Sequence, residues 1–355
     1  SKGDVLAINL DTTMSPGEDF FQYANGGWIS KNPIPGDLSS WGIGNLVIEE
    51  NNNRLRKIAE DAAGSKSSKG SPEQMIGDFW ATAMDSAKIE ADGLKPIQPL
   101  LDKIKAISDV NGLVSTVAEL KKLGSSTLFS DFVTQDDKNS DVMTYKFWQG
   151  GIGLPEREYY SKNDSATKKI RAAYEQYIAE MLTLAGENSS SATSAAKNII
   201  SLETKLASAS RKLADLRDPH ANYNKRAIAD LSKMSTTIDW TNFLAITGIK
   251  GIDSVIVGQP EFFTALDNAL KTVPLDDWKS YVKFNVISDF AGTLPDKFGI
   301  AAFNFNKLFS GATERRPRWK RVIAAEENIL GELMGKLYVK EFFNEKTKKR
   351  YEDMV

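Results

Sequence analysis

The sequence predicts a mainly α protein, one large multi-helix domain carrying a small β-hairpin. Apolar residues recur at three- and four-residue spacing over most of the chain, the period that lines them up on one face of a helix. At one place only, two neighbouring apolar runs are joined by a short polar turn, the signature of a hairpin. The length of 355 residues, 41% of them hydrophobic, allows a sizeable core, either in one large domain with appendages or in two domains.

Gly36 and the glycines beside Trp41 (Gly42 and Gly44) divide an N-terminal segment from a polar helix over residues 45–63, whose apolar positions include Leu46, Val47, Leu55 and Ile58. The breaker-rich run from Gly64 to Gly70 is a loop. Ser71-Pro72-Glu73 then reads as an N-cap with proline at the first position of the next helix. Further helices are predicted over 96–107, 109–122, 165–185 and 191–216, each with a breaker at one end. Between them, residues 128–136 and 142–148 flank the polar turn Asp137-Lys138-Asn139-Ser140 and form the hairpin. Val255-Ile256-Val257 is a short strand or buried turn. Helices follow over 260–271, 276–292 and 295–309, and a last long one over 324–343 comes after Pro317. There is no internal repeat of fixed period and no charged tail.

Lys and Arg number 45 against 47 Asp and Glu, so no excess of positive charge exists to release counterions, and nucleic acid is not an expected partner. With no cysteine there is neither a disulfide framework nor a thiolate metal site. No run approaches the roughly 18 apolar residues of a membrane span, and Ser1-Lys2-Gly3-Asp4 lacks the apolar core of a signal peptide. The protein is therefore expected to be cytosolic or to have lost a signal segment. The strongest compositional constraint is that His220 is the only histidine. Zinc hydrolases of the H-E-x-x-H type need two histidines at i and i+4 on one helix face, and this chain cannot supply them.

Each remaining candidate for chemistry has a plainer reading. His220, in a loop-like stretch after a helix, lacks an identifiable nucleophile, and a surface or hydrogen-bonded role is expected. Gly150-Gly151-Ile152-Gly153 has no Walker lysine and reads as a backbone turn after the hairpin. The carboxylate pairs Glu156/Glu158, Asp276/Asp277 and Asp136/Asp137 sit in turns or first helical turns, where acids cap helix N-termini. Arg315-Arg316-Pro317-Arg318-Trp319-Lys320-Arg321 suits either an anionic partner or, preferably, bonds to carbonyls and carboxylates within the fold. The aromatic stretches at residues 19–23, 278–284 and 303–305 are read as packing.

Several segments together resemble the neprilysin and endothelin-converting enzyme family of zinc metallopeptidases. The resemblance begins with Pro16, Asp19-Phe20 and Tyr23-Ala24-Asn25-Gly26-Gly27-Trp28, followed by Ile34-Pro35. It continues in order through Gly153-Leu154-Pro155-Glu156-Arg157-Glu158-Tyr159-Tyr160, Tyr223-Asn224, Gln259-Pro260-Glu261-Phe262-Phe263 and Phe303-Asn304-Phe305 with Leu308 to Gly311. It ends with Arg316 to Arg321, Leu330-Gly331-Glu332 and Gly335-Lys336-Leu337-Tyr338-Val339, and so covers nearly the whole chain.

The resemblance implies that this chain is the N-terminal half of a bacterial member. The family's H-E-x-x-H helix and downstream glutamate would then lie beyond Val355, in a C-terminal catalytic domain of the same gene product. There zinc would polarise the scissile carbonyl and activate a water. Within these 355 residues no catalytic residue and no metal ligand is expected, and the chain alone should be inactive. Residues 37–323 would form a helical cap that encloses a chamber and selects oligopeptide substrates. Residues 1–36 would pack on the catalytic half, and 324–355 would lead toward it. Mammalian members place an arginine for the substrate carboxylate where this chain has Ser40, with Asn45 and Ile48 at neighbouring pocket positions, so no substrate-binding residue carries over and endopeptidase behaviour is expected. Export with removal of a signal segment, to the periplasm or cell surface, is the implied location. The alternative is a non-catalytic helical module binding a peptide or an anion through residues 315–321.

Overall fold

A computed structural model describes residue 4 and residues 6–354. A 3₁₀ turn at Ala7–Asn9 precedes α1 (Phe20–Lys31), α2 (Ile43–Gly64), α3 (Pro72–Met84), α4 (Ser86–Asp92), α5 (Gln98–Lys105) and α6 (Val110–Lys121). The strands β1 (Ser130–Asp136) and β2 (Asn139–Trp148) are followed by α7 (Glu158–Ser161), α8 (Ser165–Leu184) and α9 (Ser189–Ala209). Then come β3 (Asn224–Ala227), α10 (Trp240–Thr247), β4 (Ser254–Val257), α11 (Pro260–Thr272), α12 (Leu275–Phe290), α13 (Asp296–Ser310), α14 (Arg318–Phe342) and α15 (Glu345–Glu352). The chain divides into two compact units, one from residues up to Lys88 with those from Asn306 on, the other Ile89–Phe305.

In the first unit α2, α3 and α14 bury one apolar seam. Leu55, Ile58, Ala59 and Ala62 of α2 meet Ile76 and Trp80 of α3 and Val322, Ile323 and Met334 of α14. Ser71 caps α3 by accepting from Gln74 N–H, with Pro72 in the first turn, as its sequence predicts. Outside the seam the cations pair with neighbours: Lys57 Nζ lies 2.6 Å from Asp61 and 2.8 Å from Glu341. The first third of α2 behaves differently, since Ile43, Val47 and Ile48 are 73%, 65% and 55% exposed.

The second unit packs helices around a four-stranded sheet in the order β1-β2-β4-β3. β1 and β2 are the predicted antiparallel hairpin, Ser130 opposite Trp148; β4 joins β2 in parallel, and β3 joins β4 antiparallel. The core is aromatic: Phe129 and Phe147 stand edge-on at 5.6 Å, with Trp240 at 4.9 Å from Phe147 and Phe263 at 5.3 Å from Phe129. Around the stacked pair Tyr177 and Phe305 (5.0 Å) lie Tyr174 and Phe284.

The differences from the sequence-based elements have local causes. The hairpin turn is the two residues Asp137 and Lys138, shorter than expected, because Asp136 accepts Lys138 N–H at 2.9 Å and Asp136 already faces Asn139. β3 escapes a periodicity search, because Asn224-Lys225-Arg226-Ala227 is a polar strand at the sheet edge. The helix predicted to reach residue 216 stops at Ala209, where Arg211 N–H donates to Gln149 Oε1 at 2.7 Å instead of continuing the ladder. Nothing in the local sequence breaks it. The last long helix starts earlier than predicted, directly after Pro317, and bends at Leu330 (φ −120°, ψ 19°).

Phe147 has no accessible surface and touches five other aromatic rings of this core. Phe147→Ala is therefore expected to lower unfolding free energy by about 3–5 kcal/mol in a denaturant titration. A loss under about 1 kcal/mol would mean that the aromatic cluster is not what holds this unit.

Candidate functional site

After β2 the chain runs from Gln149 to Leu154 outside strand and helix, so its backbone groups depend on side chains for partners. Gln149 N–H donates to Gln259 Oε1 at 2.8 Å, Gly153 N–H to Glu203 Oε2 at 3.1 Å and Leu154 N–H to the Tyr160 hydroxyl at 2.9 Å. The Tyr281 hydroxyl donates to the Gly151 carbonyl at 2.8 Å and accepts Leu128 N–H at 3.2 Å. It thus joins two left-handed residues, Leu128 and Gly151, both at φ 69°. For leucine that conformation costs on the order of 1–3 kcal/mol and persists because the surroundings enforce it.

The glycines serve close approach. A Cβ on Gly151 would sit 2.5 Å from the Leu128 carbonyl oxygen, and one on Gly153 would overlap the Tyr174 hydroxyl at 1.8 Å. Neither leaves room for a phosphate. Beneath them lies Glu203, fully covered on the inner stripe of α9 with Ile199, Leu202 and Leu206. Its carboxyl accepts from Tyr160 (2.5 Å) and Tyr174 (3.0 Å) as well as from Gly153. Burial pushes this acid up to about 7, against the opposing pull of those three donors.

A second cluster adjoins. Arg211 forms a two-point contact with Glu261 (2.5 and 3.0 Å) and donates to the Ala221 carbonyl and Asn222 Oδ1. Buried Gln259 donates to Asn222 Oδ1 at 2.6 Å, and Gln149 Nε2 to the Arg211 carbonyl at 3.0 Å. This fixes the loop that carries His220. The imidazole itself is exposed, beside Asp218, whose carboxylate accepts His220 N–H at 2.8 Å.

The carboxylate pairs do not converge on a shared substrate position. Glu158 is paired with Lys162, Asp277 accepts from Asn198 at 2.7 Å, and Asp137 pairs with Lys146 at 2.6 Å. Asp136 accepts from the Tyr223 hydroxyl (2.9 Å) and Lys225 (3.1 Å). With the Lys138 N–H bond as the leading cause, its carboxyl is held well below the usual range.

In the other unit the basic run is turned to internal use. Lys320 reaches Glu49 (2.8 Å) and Asp37 (3.4 Å), Arg318 the Ala83 carbonyl (3.3 Å) and Arg321 the Arg316 carbonyl (3.1 Å), while the Arg56 guanidinium lies 5.0 Å over the Trp319 ring. Ser40 is exposed, Asn45 half-buried and Ile48 exposed, on a segment pinned where Gly36 O accepts Thr313 and Glu314 N–H at 2.8 Å. One reading needs correction: the aromatic pair in residues 19–23 is not packed, for Phe20 and Phe21 are 68% and 67% exposed. α1 leans on residues 9–11 through Gly26 and Gly27, which leaves its first turn outside. The other two stretches do pack, through Trp278, Tyr281, Phe284 and Phe305.

The residues present do not fit a two-histidine zinc centre, since there is one histidine, and among the described residues no three of His, Asp and Glu come together to hold a metal ion. Sequence reasoning gave no role to Glu203, Gln149, Arg211 or Asn222, and met Gln259 only as part of a segment carrying the resemblance. For Glu203 a signal existed, an acid four residues after Ile199 and three before Leu206 on an apolar stripe.

Residues 16–355 match the sequence pattern of peptidase family M13. The chain belongs to that family. Endothelin-converting enzyme 1 of Rattus norvegicus is 27% identical over 354 residues, 96% of this chain and 46% of the relative. Neprilysin-3 of Drosophila melanogaster is 26% identical over 368 residues, 98% of this chain and 47% of the relative. Among solved structures, the Mycobacterium tuberculosis zinc metalloprotease Zmp1 in complex with an inhibitor superposes with a TM-score of 0.89 at 29% identity, over 97% of this chain and 52% of that one. The chain spans about half the length of the curated relatives it matches.

In this M13 chain three of the segments that carry the resemblance, Gly153 to Tyr160, Tyr223-Asn224 and Gln259-Pro260-Glu261, meet around the two polar clusters. What they supply there is support for buried backbone.

Glu203 titrates against stability. Its folded value, near 7, lies above the ordinary 4.5, so burial disfavours the ionised form and stability declines as pH rises from about 4.5 to 7. The decline is expected to reach about 3 kcal/mol and to vanish in Glu203→Gln, which mimics the neutral acid. Urea titrations of both proteins at several pH values read it; equal slopes would contradict the assignment.

Proposed function

We propose that this chain is the N-terminal, substrate-selecting half of a zinc-dependent endopeptidase acting on oligopeptides. The observation that carries the reading is the asymmetry of coverage: 96–98% of this chain aligns with only 46–47% of the relatives endothelin-converting enzyme 1 and neprilysin-3. A C-terminal catalytic domain of the same gene product would supply the zinc ligands, and zinc bound there would polarise the scissile carbonyl. The residues of this chain would enclose and position the peptide.

The unit containing both ends of the chain offers support. Phe20, Phe21, Ile43, Val47 and Ile329 are each at least 65% exposed, apolar side chains suited to packing on a further domain. We narrow the cap role expected of residues 37–323 to the unit Ile89–Phe305 and give the packing role to the other unit. Export from a bacterial cytoplasm goes with this reading. The anion-binding alternative is weakened, because Arg318, Lys320 and Arg321 are engaged by carbonyls and carboxylates.

Two experiments test the proposal. The full-length protein is expected to cleave oligopeptides in a chelator-sensitive manner and residues 1–355 alone to show no cleavage; hydrolysis by the latter would sink the reading. The second concerns Ser40, which cannot hold a free C-terminal carboxylate as a guanidinium does. Full-length enzyme should treat amidated and free-acid forms of one peptide alike in kcat/KM, and Ser40→Arg should favour the acid by about tenfold. A strong preference for the acid without the substitution would exclude this role for Ser40.

A further inference from the structure

Beyond the peptidase reading, one buried group of the first unit is left without use. Glu326 has no accessible surface, and neither carboxyl oxygen has a hydrogen-bond partner. It stands on the inner face of α14, three residues after Ile323 and four after Val322, against α2 and α3, and one helical turn before the bend at Leu330. A carboxyl group in that position costs more free energy when ionised than when neutral, because nothing replaces its lost hydration.

The cations Arg54, Arg56 and Lys57 of α2 and Lys320, Arg318 and Arg321 of α14 have partners other than Glu326. On α2, Arg54 bonds Glu50 and the Tyr338 hydroxyl, Arg56 bonds Glu60, and Lys57 bonds Asp61 and Glu341. On α3, Glu73 pairs with Lys340 and Asp78 accepts from Gln74, while Lys320 of α14 serves Glu49 and Asp37. None of these cations reaches Glu326.

We propose that Glu326 is a pH-sensitive latch: neutral, it lets α14 close on α2 and α3, and ionised, it loosens that closure at the bend, so that the helix opens as the solution turns from acidic to mildly alkaline. The direction follows from burial, which pushes the acid up to about 7. The carboxyl is wholly covered in the closed arrangement, so it meets water only when α14 moves away from α2 and α3. When α14 opens, the carboxyl meets water and gives up its proton at the ordinary value near 4.5, so ionisation and opening favour each other.

Hydrogen exchange read by mass spectrometry on the intact protein tests the latch, with rates corrected for intrinsic base catalysis. Opening of the segment 318–342 is expected to rise by about tenfold between pH 6 and pH 8. That rise should disappear in Glu326→Leu and in Glu326→Gln, the latter keeping shape if the former fails to fold. The unit Ile89–Phe305 is an internal control, since its exchange should be the same in the variants as in the unsubstituted protein. An unchanged pH response of 318–342 in Glu326→Gln, or a response of equal size without any substitution effect, overturns the proposal.

Discussion

A backbone that leaves regular structure inside a protein must find partners for every N–H and carbonyl, and in the larger unit that demand falls on the six residues after β2. Gln259, Glu203, Tyr160 and Tyr281 meet it from four different parts of the chain. Because each donor or acceptor must arrive within hydrogen-bond distance, the helices bearing them are fixed relative to the sheet. The same requirement explains Leu128, whose left-handed backbone is tolerated where Tyr281 accepts its N–H and Gly151 closes against it. Aromatic packing supplies the bulk of the stabilisation there, and the polar anchors choose one arrangement among those that packing would allow.

This division explains what was legible in the sequence. Helices with a clean apolar period, such as α8, α9 and α11, could be read directly, because periodicity reports which face is covered. The stop of α9 at Ala209 could not, since residues 210–216 carry no breaker and the helix ends in favour of bonds to Gln149 and Arg157, far away in sequence. β3 was invisible for a related reason: a polar edge strand is defined by its neighbour β4. The candidate sites followed suit. Turn acids and the basic run find partners nearby in the fold, while Gln149, Asn222 and Gln259 have side chains whose importance depends wholly on the company they keep.

Family resemblance in this chain rests largely on scaffold. Gly153 is glycine because the Tyr174 hydroxyl occupies the place of its side chain, and Tyr160 is tyrosine because its hydroxyl both accepts Leu154 N–H and donates to Glu203. Such residues make membership of M13 readable through the packing and backbone bonds they serve. The stretch from Ser40 to Ile48 is built differently: it is held at one end through Gly36, and its apolar residues Ile43, Val47 and Ile48 are exposed.

The two covered acids mark how differently the units use a buried charge. Glu203 collects three donors, so that even its ionised form is partly compensated and the residue acts as an anchor. Glu326 collects none, and its helix is bent one turn away. A carboxyl kept only for stability would be better replaced by leucine at that point of an apolar seam, since an unpartnered buried polar group costs on the order of 1–3 kcal/mol and contributes nothing in return. Its presence beside the bend is therefore easier to understand where α14 has to leave its seam than where it only has to stay in it.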